Sequence, residues 1–373
     1  MGLHPDSLPE FPWDSLTPFI ERASAHPDGI VNLSVGTPVD PTPAVVRDAL
    51  AAAADAPGYP TTHGTLALRE AIAGWFARRR SVPGIDPKNI LPTVGSKELV
   101  ALLPGLLGLR EGDVVVHPTA AYPTYDVGAR LAGATPLPAD DVADWAGNTA
   151  VKLVWVNSPS NPTGAVASRE YLASVVQAAR AIGAIVASDE CYAELPWEEP
   201  FVGEGVASIL DPSVCAGSHE GLLAVYSLSK QSNLAGYRAA FTAGDPGVVA
   251  RLLETRKHAG LIVPAPVQSA MVAALNDDTH VAAQREVYRA RRSVLRRAIE
   301  TAGFRVDFSD AGLYLWATRG ENCWQTIEFL ADLGIIAAPG AFYGEAASNH
   351  VRIALTATDE RIAAAAERLV KAR

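Results

Sequence analysis

The chain of 373 residues is long enough for one large domain and one smaller one, and it can bury a sizeable core. Hydrophobic residues make up 49% of it and charged residues 19%, which is ordinary for a globular protein and argues against disorder. The formal net charge of −10 would repel a phosphate backbone, so we expect no nucleic-acid partner.

The cysteines and the first residues indicate the compartment. Cys191, Cys215 and Cys323 are an odd number without CxxC spacing, so we expect neither a disulfide framework nor a metal site. Early acidic residues and repeated prolines replace the apolar segment of a secretory signal. The strongest apolar run, 101–109, is too short to span a membrane. We therefore expect a cytoplasmic protein that does not bind a membrane.

Short apolar runs rich in Val and Ile alternate with helix-length segments between residues 31 and 263. The runs are VNLSV at Val31, DVVVH at Asp113, VKLVWV at Val151, GAIVAS at Gly183 and LLAVY at Leu222. This alternation predicts an α/β fold with βα units around a buried, mostly parallel central sheet flanked by helices. Helical spacing is clearest over 66–80 and 169–181. Arg78, Arg79 and Arg80 close the first helix, where solvated positive charge favours the helix dipole.

The pattern changes after Pro264. The segments that follow are a charged amphipathic stretch over 281–302, the strand-like runs GLYLWAT and HVRIALT, and a helix from Asp359. We predict a large domain over 31–263 and a smaller α+β domain over 264–373. Residues 1–30 are expected to join the smaller domain, because their prolines fit poorly into a βα series.

The loop after LLAVY, SLSKQSNLAGYR over 227–238, carries the strongest local signal. A lysine just past the carboxyl end of a strand can point into the crevice where open α/β sheets bind ligands. An ordinary surface lysine is the competing interpretation of Lys230. Ser227 to Lys230 also spells SxxK, the motif of some serine acyl enzymes, although their SDN and KTG elements are absent.

Asp189 closes another buried strand, where a carboxylate is costly unless it meets a cation or hydrogen-bond donors. A protonated pyridine nitrogen is one such partner, whereas capping of a following helix would explain Asp189 without a ligand. Asn161, in the turn SNPTG, and Tyr192 carry donors that suit a phenolate-like oxygen on such a ring.

A candidate anion site follows the strand-like run ILPTV, where Gly95-Ser96-Lys97-Glu98 opens a helical segment. We predict Ser96 as the N-cap, with its neighbours' N–H groups free to bind phosphate. Ser227 and Arg238 can complete this cradle. A helix cap without any ligand is the alternative.

In combination these motifs resemble those of the class I and II aminotransferases, which are pyridoxal 5′-phosphate (PLP) enzymes of fold type I. The shared motifs, in chain order, are GSxE, the aromatic-Pro segment AYPTY, SNPTG, DExY and SxSKxxxxxGxR. The resemblance runs through most of the chain, from Gly36 to Arg352. It implies the fold type I architecture, PLP as cofactor, amino-acid and keto-acid substrates, and a homodimer with shared active sites.

The resemblance also implies catalytic and ring-binding roles. Lys230 would bond covalently to the cofactor and later move a proton, and Asp189 would pair with the ring nitrogen. Tyr192 and Asn161 would bond the ring's 3-hydroxyl, and Tyr122 would stack on the ring face.

Further roles concern the phosphate, the substrate and the second subunit. The residues implied to hold the phosphate are Ser96, Lys97, Ser227 and Arg238. Tyr59, in the stretch GYP, would reach the phosphate of the neighbouring subunit. Arg352 would grip the substrate α-carboxylate, for which a bidentate guanidinium is well shaped. Gly36 and Asn161 would complete the substrate contacts.

Several stretches resemble the actinobacterial N-succinyldiaminopimelate aminotransferases of lysine biosynthesis. They include FPWDSL at Phe11, SLSKQSNLAGYRA at Ser227 and AGLYLWATR at Ala311. The implied reaction transfers an amino group between N-succinyl-LL-2,6-diaminopimelate and 2-oxoglutarate, with glutamate as the amino donor in the biosynthetic direction. The sequence assigns no basic residue to the distal succinyl carboxylate. Another amino-acid aminotransferase, a PLP-dependent β-lyase or decarboxylase, and a non-catalytic PLP-fold binding protein are the alternatives.

Overall fold

The computed structural model describes residues 8–9 and 12–372. Residues 1–7, 10 and 11 of the predicted smaller domain, including Phe11 of FPWDSL, lie outside the described residues. The strands in chain order are β1 Val31–Asn32, β2 Ile90–Val94, β3 Val114–His117, β4 Thr135–Pro138, β5 Val151–Asn157, β6 Ile185–Asp189, β7 Leu222–Ser227, β8 Ala239–Gly244, β9 Arg305–Val306, β10 Tyr314–Thr318, β11 Ile335–Ile336, β12 Ala338–Pro339 and β13 Val351–Ala354.

Helices separate most of these strands, and a short 3₁₀ helix, Pro12–Leu16, precedes the first. The α-helices in chain order are α1 Thr17–Ser24, α2 Ala44–Ala52, α3 Leu66–Arg79, α4 Ser96–Leu106, α5 Thr124–Leu131, α6 Arg169–Ile182, α7 Phe201–Glu204, α8 Pro212–Cys215, α9 Leu228–Gln231, α10 Pro246–Ala259, α11 Ala265–Asn276, α12 Asp278–Thr301, α13 Cys323–Asp332 and α14 Asp359–Lys371. No helix in the described ranges combines the length and apolar character needed to cross a membrane.

In the described part of the chain, a seven-stranded sheet has the order β2-β8-β7-β6-β5-β3-β4. All neighbouring strands run parallel except β8, which is antiparallel to both β2 and β7. Along β5, Val154 and Val156 pack into one apolar cluster, whereas Leu153 and Trp155 pack into another. Both faces are therefore buried, which explains the continuous apolar runs. The predicted helix-flanked, mostly parallel sheet is confirmed.

The run at Val31 does not join this sheet, so its prediction as one of the βα strands is wrong. Only Val31 and Asn32 are extended, and they pair in parallel with β11. Val31 and Leu33 are buried among the apolar residues of the C-terminal part of the chain. Periodicity shows that a run is buried, but it does not show which strand lies beside it.

The C-terminal part has its own antiparallel sheet, with the order β12-β13-β10-β9 in the described residues. Helix α14 packs on α12. Helix α11, by contrast, packs on α2 and α3, and its residue Met271 shares an apolar cluster with Trp75 of α3. The division at Pro264 stays a prediction, and we propose from this packing that the larger unit extends to Asn276.

The arginines at the end of α3 differ from the solvated helix end that the sequence predicts. Arg80 Nη2 lies 2.9 Å from Glu190 Oε2, and both side chains are 1% exposed. Arg79 pairs with the buried Glu194 at 2.5 Å. The prediction is wrong for Arg80, because the turn after β6 places carboxylates beside the helix end.

Candidate active site

The predicted site residues converge at one edge of the large sheet. Strands β2, β5, β6 and β7 all end there, and β8 begins there because it runs the opposite way. A cavity of about 530 Å³ opens at this edge. The predicted residues that line it are Gly36, Ser96, Lys97, Tyr122, Asn161, Asp189, Tyr192, Ser227, Lys230, Arg238 and Arg352. Tyr59 is fully exposed on the surface of this chain.

Asp189 is a buried carboxylate without a cationic partner among the described residues. It is 7% exposed, and the salt bridges within residues 12–372 do not include it. The Tyr125 hydroxyl donates to its Oδ2 at 2.9 Å, and the Cys191 amide donates to Oδ1 at 3.2 Å. Burial raises the pKa of Asp189, and these donors only partly offset the rise. Capping of the following turn by Asp189 thus explains the bond to its Oδ1. It does not explain why a buried carboxylate has no cation beside it among the described residues, since burial of an unpaired charge is costly.

Arg352 is the opposite case, a buried cation without a carboxylate among the described residues. It is 3% exposed. Its Nη1 donates to Asn161 Oδ1 and its Nη2 to the Ser34 carbonyl, both at 2.7 Å. The guanidinium lies 4.0 Å from the ring centroid of Tyr314 and 5.0 Å from that of Tyr343. A guanidinium held this way can bind a carboxylate that enters the cavity.

The start of α4 and Arg238 form a second anion-binding end of the cavity. Gly95, with φ of 78°, occupies the N-cap position and makes no side-chain cap. The prediction of Ser96 as N-cap is therefore wrong, because Ser96 is the first helical residue. A Cβ at Gly95 would overlap the Arg238 guanidinium, so the glycine lets Arg238 lie against the helix start. Free amides beside a guanidinium suit a phosphate group.

Lys230 lines the same cavity as Asp189, Arg238 and Arg352. It is partly buried, and its Nζ donates to the Gly36 carbonyl. The interpretation as an ordinary surface lysine is therefore wrong. Ser227 Oγ donates to Ser229 Oγ at 2.8 Å and also accepts the Ser229 amide. The SxxK serine thus bonds within its own turn, which disfavours the acyl-enzyme alternative.

Sequence reasoning missed Tyr125, Tyr314 and Trp13, which also line the cavity. Tyr125 lies 64 residues from Asp189, and Tyr314 lies 122 residues from Tyr192, whose hydroxyl it contacts. Each lies in a stretch whose resemblance is noted above, AYPTY, AGLYLWATR or FPWDSL. Nothing local in these stretches reveals a partner so distant in sequence.

The donor set fits PLP. An anion-binding end, a carboxylate without a cation and a partly buried lysine line one cavity at the carboxyl edge of a mostly parallel sheet. Asp189 suits a protonated ring nitrogen, and the α4 start with Arg238 suits a phosphate. Sheet and site together define the fold type I class of PLP enzymes.

Comparison with known proteins agrees with this class. The family model described as aminotransferase class I and II matches residues 28–369. The 4-dedimethylamino-4-oxo-anhydrotetracycline transaminase OxyQ of Streptomyces rimosus is 61% identical over 97% of this chain and 99% of its own length. The probable aminotransferase Rv1178 of Mycobacterium tuberculosis is 57% identical over 97% of this chain and 85% of its own.

Among solved structures, a probable N-succinyldiaminopimelate aminotransferase from Thermus thermophilus superposes with a TM-score of 0.85. It is 28% identical, and the match covers 97% of this chain and all of that one. The chain therefore belongs to the aminotransferase class I and II family, whose members depend on PLP and use amino-acid and keto-acid substrates. The predicted family, fold type and cofactor are confirmed.

Proposed function

We propose that this chain transfers the amino group of glutamate to a second keto acid, for which N-succinyl-2-amino-6-ketopimelate is the first candidate. The observation that carries the proposal is the pair of complementary buried charges in one cavity, the Asp189 carboxylate and the Arg352 guanidinium. The diaminopimelate substrate is supported by the name of the Thermus thermophilus structure. LL-Diaminopimelate aminotransferases, such as that of Gloeobacter violaceus at 33% identity, are further relatives.

Three of the residues that line the cavity would act directly in this reaction. The bound cofactor supplies an electron sink for charge that develops at the substrate Cα. Arg352 holds the substrate carboxylate and fixes the direction of the Cα–H bond. Lys230 Nζ would take the proton from the substrate Cα and deliver it to the cofactor's C4′ carbon, as general base and then general acid. Asp189 would pair with the ring nitrogen and keep that nitrogen protonated.

The remaining roles concern the cofactor's other groups. Tyr192 and Asn161 would hold the 3-hydroxyl, and Tyr122 would lie against the ring. The residues proposed to hold the phosphate are Ser96, Lys97, Ser227, Arg238 and, in a homodimer, Tyr59 of the neighbouring subunit. The full exposure of Tyr59 supports this last role, because its ring is free to enter another subunit. Three free, buried cysteines support a cytoplasmic location.

Lys230→Ala tests the reaction class. Losing the base should lower turnover by at least about 10²–10⁴-fold while some cofactor stays bound. Lys257→Ala is the matched control, because Lys257 is half exposed and pairs with the surface residue Glu254. Steady-state transamination that survives in Lys230→Ala would contradict the proposal.

A substrate panel tests the finer assignment. Purified enzyme with glutamate should convert N-succinyl-2-amino-6-ketopimelate faster than other keto acids. An absence of activity with that compound would overturn the assigned pathway but not the reaction class. The 61% identity to OxyQ makes 4-dedimethylamino-4-oxo-anhydrotetracycline the second acceptor to test, with the same donor. Ammonia and pyruvate from a cysteine conjugate would indicate a β-lyase instead.

A further inference from the structure

Tyr314 has no task in the proposed reaction, yet its hydroxyl lies among the groups that have one. Tyr314 begins β10 of the small sheet and is 2% exposed. Its hydroxyl is 3.1 Å from the Tyr192 hydroxyl, and the two rings meet edge to face with centroids 5.7 Å apart. The Arg352 guanidinium covers the Tyr314 ring. Tyr314 thus joins the small sheet to the residue proposed to hold the cofactor's 3-hydroxyl.

The backbone at Gly36 lies on the other side of the Tyr314 hydroxyl. A Cβ added at Gly36 would overlap that hydroxyl, so the glycine permits the contact. The Gly36 carbonyl also accepts the hydrogen bond from Lys230 Nζ. The Tyr314 hydroxyl therefore lies beside both Tyr192 and the backbone unit that holds the lysine.

Charged and hydroxyl groups surround the Tyr314 hydroxyl. The titratable groups that interact with Tyr314 include Lys230, Arg352, Tyr192, Cys191, Tyr288 and Tyr343. Burial opposes ionisation of Tyr314, but the positive charges of Arg352 and Lys230 outweigh it and lower the pKa of Tyr314. Burial raises the pKa of Tyr192, and Tyr314 adds to that rise. Either hydroxyl can donate across this pair. Because each hydroxyl carries a single proton, a Tyr192 that donates to the cofactor must accept from Tyr314.

We propose that Tyr314 is a positioning residue whose hydroxyl donates to the Tyr192 oxygen and so aims the Tyr192 proton at the cofactor's 3-oxygen. The inference rests on the proposed function. A hydroxyl that accepts a hydrogen bond becomes a stronger donor. Donation to the 3-oxygen anion favours the form in which the nitrogen joining Lys230 to the cofactor has lost its proton. Tyr314 therefore lowers the pKa of that nitrogen without touching the cofactor.

The test is a spectrophotometric pH titration of cofactor-loaded Tyr314→Phe, which keeps the ring against Arg352 and removes only the hydroxyl. The pKa read from the visible absorption of the bound cofactor should rise by roughly half to one unit, as expected for one lost hydrogen bond. Tyr288→Phe is the matched control, because Tyr288 is fully buried and its hydroxyl bonds Asn233, 3.3 Å away, outside the cavity lining.

A double-mutant cycle separates positioning from a general effect on stability. In a Tyr192→Phe background, Tyr314→Phe should no longer move the titration. A titration that Tyr314→Phe leaves unchanged, or a shift that persists without the Tyr192 hydroxyl, would overturn the inference. If Tyr314→Phe does not bind the cofactor, Gly36→Ala serves as the second variant, because its added methyl group displaces the Tyr314 hydroxyl. A cofactor pKa in Gly36→Ala equal to that of the wild type would also overturn the inference.

The titration requires bound cofactor but no turnover. A wild-type enzyme that binds the cofactor and transfers no amino group would end the proposed function while the cycle still reports on Tyr314.

Discussion

Asp189 and Glu190 are adjacent buried carboxylates with opposite surroundings. Glu190 is 1% exposed and accepts hydrogen bonds from Arg80 Nη2 at 2.9 Å, Ser208 Oγ at 3.0 Å and the Ile209 amide at 2.8 Å. Asp189 faces the cavity with two neutral donors and no cation in the described residues. The charge of Glu190 is balanced within the chain, whereas the charge of Asp189 is suited to a cationic group of a bound ligand.

The difference shows that burial alone does not identify a functional carboxylate. Asp189 ends β6, and consecutive side chains at a strand end point in opposite directions, one to the cavity and one to the end of α3. In the sequence the two residues are simply adjacent acidic residues, with nothing to distinguish them. The counter-ion distinguishes the two, and the counter-ion of Glu190 lies 110 residues away.

Glu190→Gln should have the largest effect on stability. The change leaves the Arg80 guanidinium buried without its counter-ion, so we expect the free energy of unfolding to fall by about 3–5 kcal/mol. Denaturant melting would measure this loss. Glu328→Gln removes a half-exposed partner of Arg22 and should have little effect on stability, because solvent screens exposed ion pairs. Equal losses in the two variants would remove the contrast between Glu190 and an ordinary ion pair.

Asp189→Asn should instead reduce turnover. Losing the buried charge proposed to pair with the ring nitrogen would remove about 2–5 kcal/mol of interaction, which corresponds to roughly 30- to 5,000-fold in kcat. Stability without cofactor should not fall. Single-turnover kinetics and melting of the same preparation check both statements. A variant with near wild-type kcat and a lowered Tm would make Asp189 structural, like Glu190.

Arg352→Lys should raise KM for glutamate by about 10–100-fold, because an ammonium cannot reproduce bidentate carboxylate binding. Steady-state kinetics at saturating cofactor, with the glutamate concentration varied, would measure the change in KM. Arg256 is also fully buried, but it already pairs with Glu98 at 2.7 Å. Arg256→Lys should therefore lower stability with little change in KM, and an increased KM in both variants would refute the assigned difference.

The smallest effect concerns pH and the cofactor-free protein. Because burial raises the pKa of Asp189 above its ordinary value of 3.8, the ionised carboxylate destabilises the fold as pH rises through the raised pKa. Asp189→Asn should match wild type in Tm at acid pH and exceed it by roughly 1–4 °C near neutrality.

Asp307 supplies the opposite sign for the same measurement. Hydrogen bonding from Arg305 lowers the pKa of Asp307 to about 2, so its stabilisation is present above the ordinary pKa and is lost as pH falls through about 2. Asp307→Asn should therefore lower Tm near neutrality. The same direction of change in both variants would contradict the pKa shifts.

The sequence predicted the parts of the fold that depend on local pattern. Apolar runs located β3, β5, β6 and β7, and motif order placed Lys230, Asp189 and Arg352 in one site. Local pattern does not specify which strand or counter-ion lies beside a residue. The prediction therefore assigned Val31 to the wrong sheet and placed Arg80 in solvent. The neighbours of Tyr314 likewise depend on segments far apart in the chain.

The reversed direction of β8 has a consequence for how this enzyme can diverge. Because β8 turns back at the carboxyl edge, the nine residues from Lys230 to Arg238 form one local segment that supplies both the lysine and the arginine proposed to hold the phosphate. The proposed substrate side is assembled from remote segments, as in the contact between Arg352 and Asn161, 191 residues apart. We therefore expect changes in the C-terminal part to alter the accepted substrate while the segment from Lys230 to Arg238 is inherited intact.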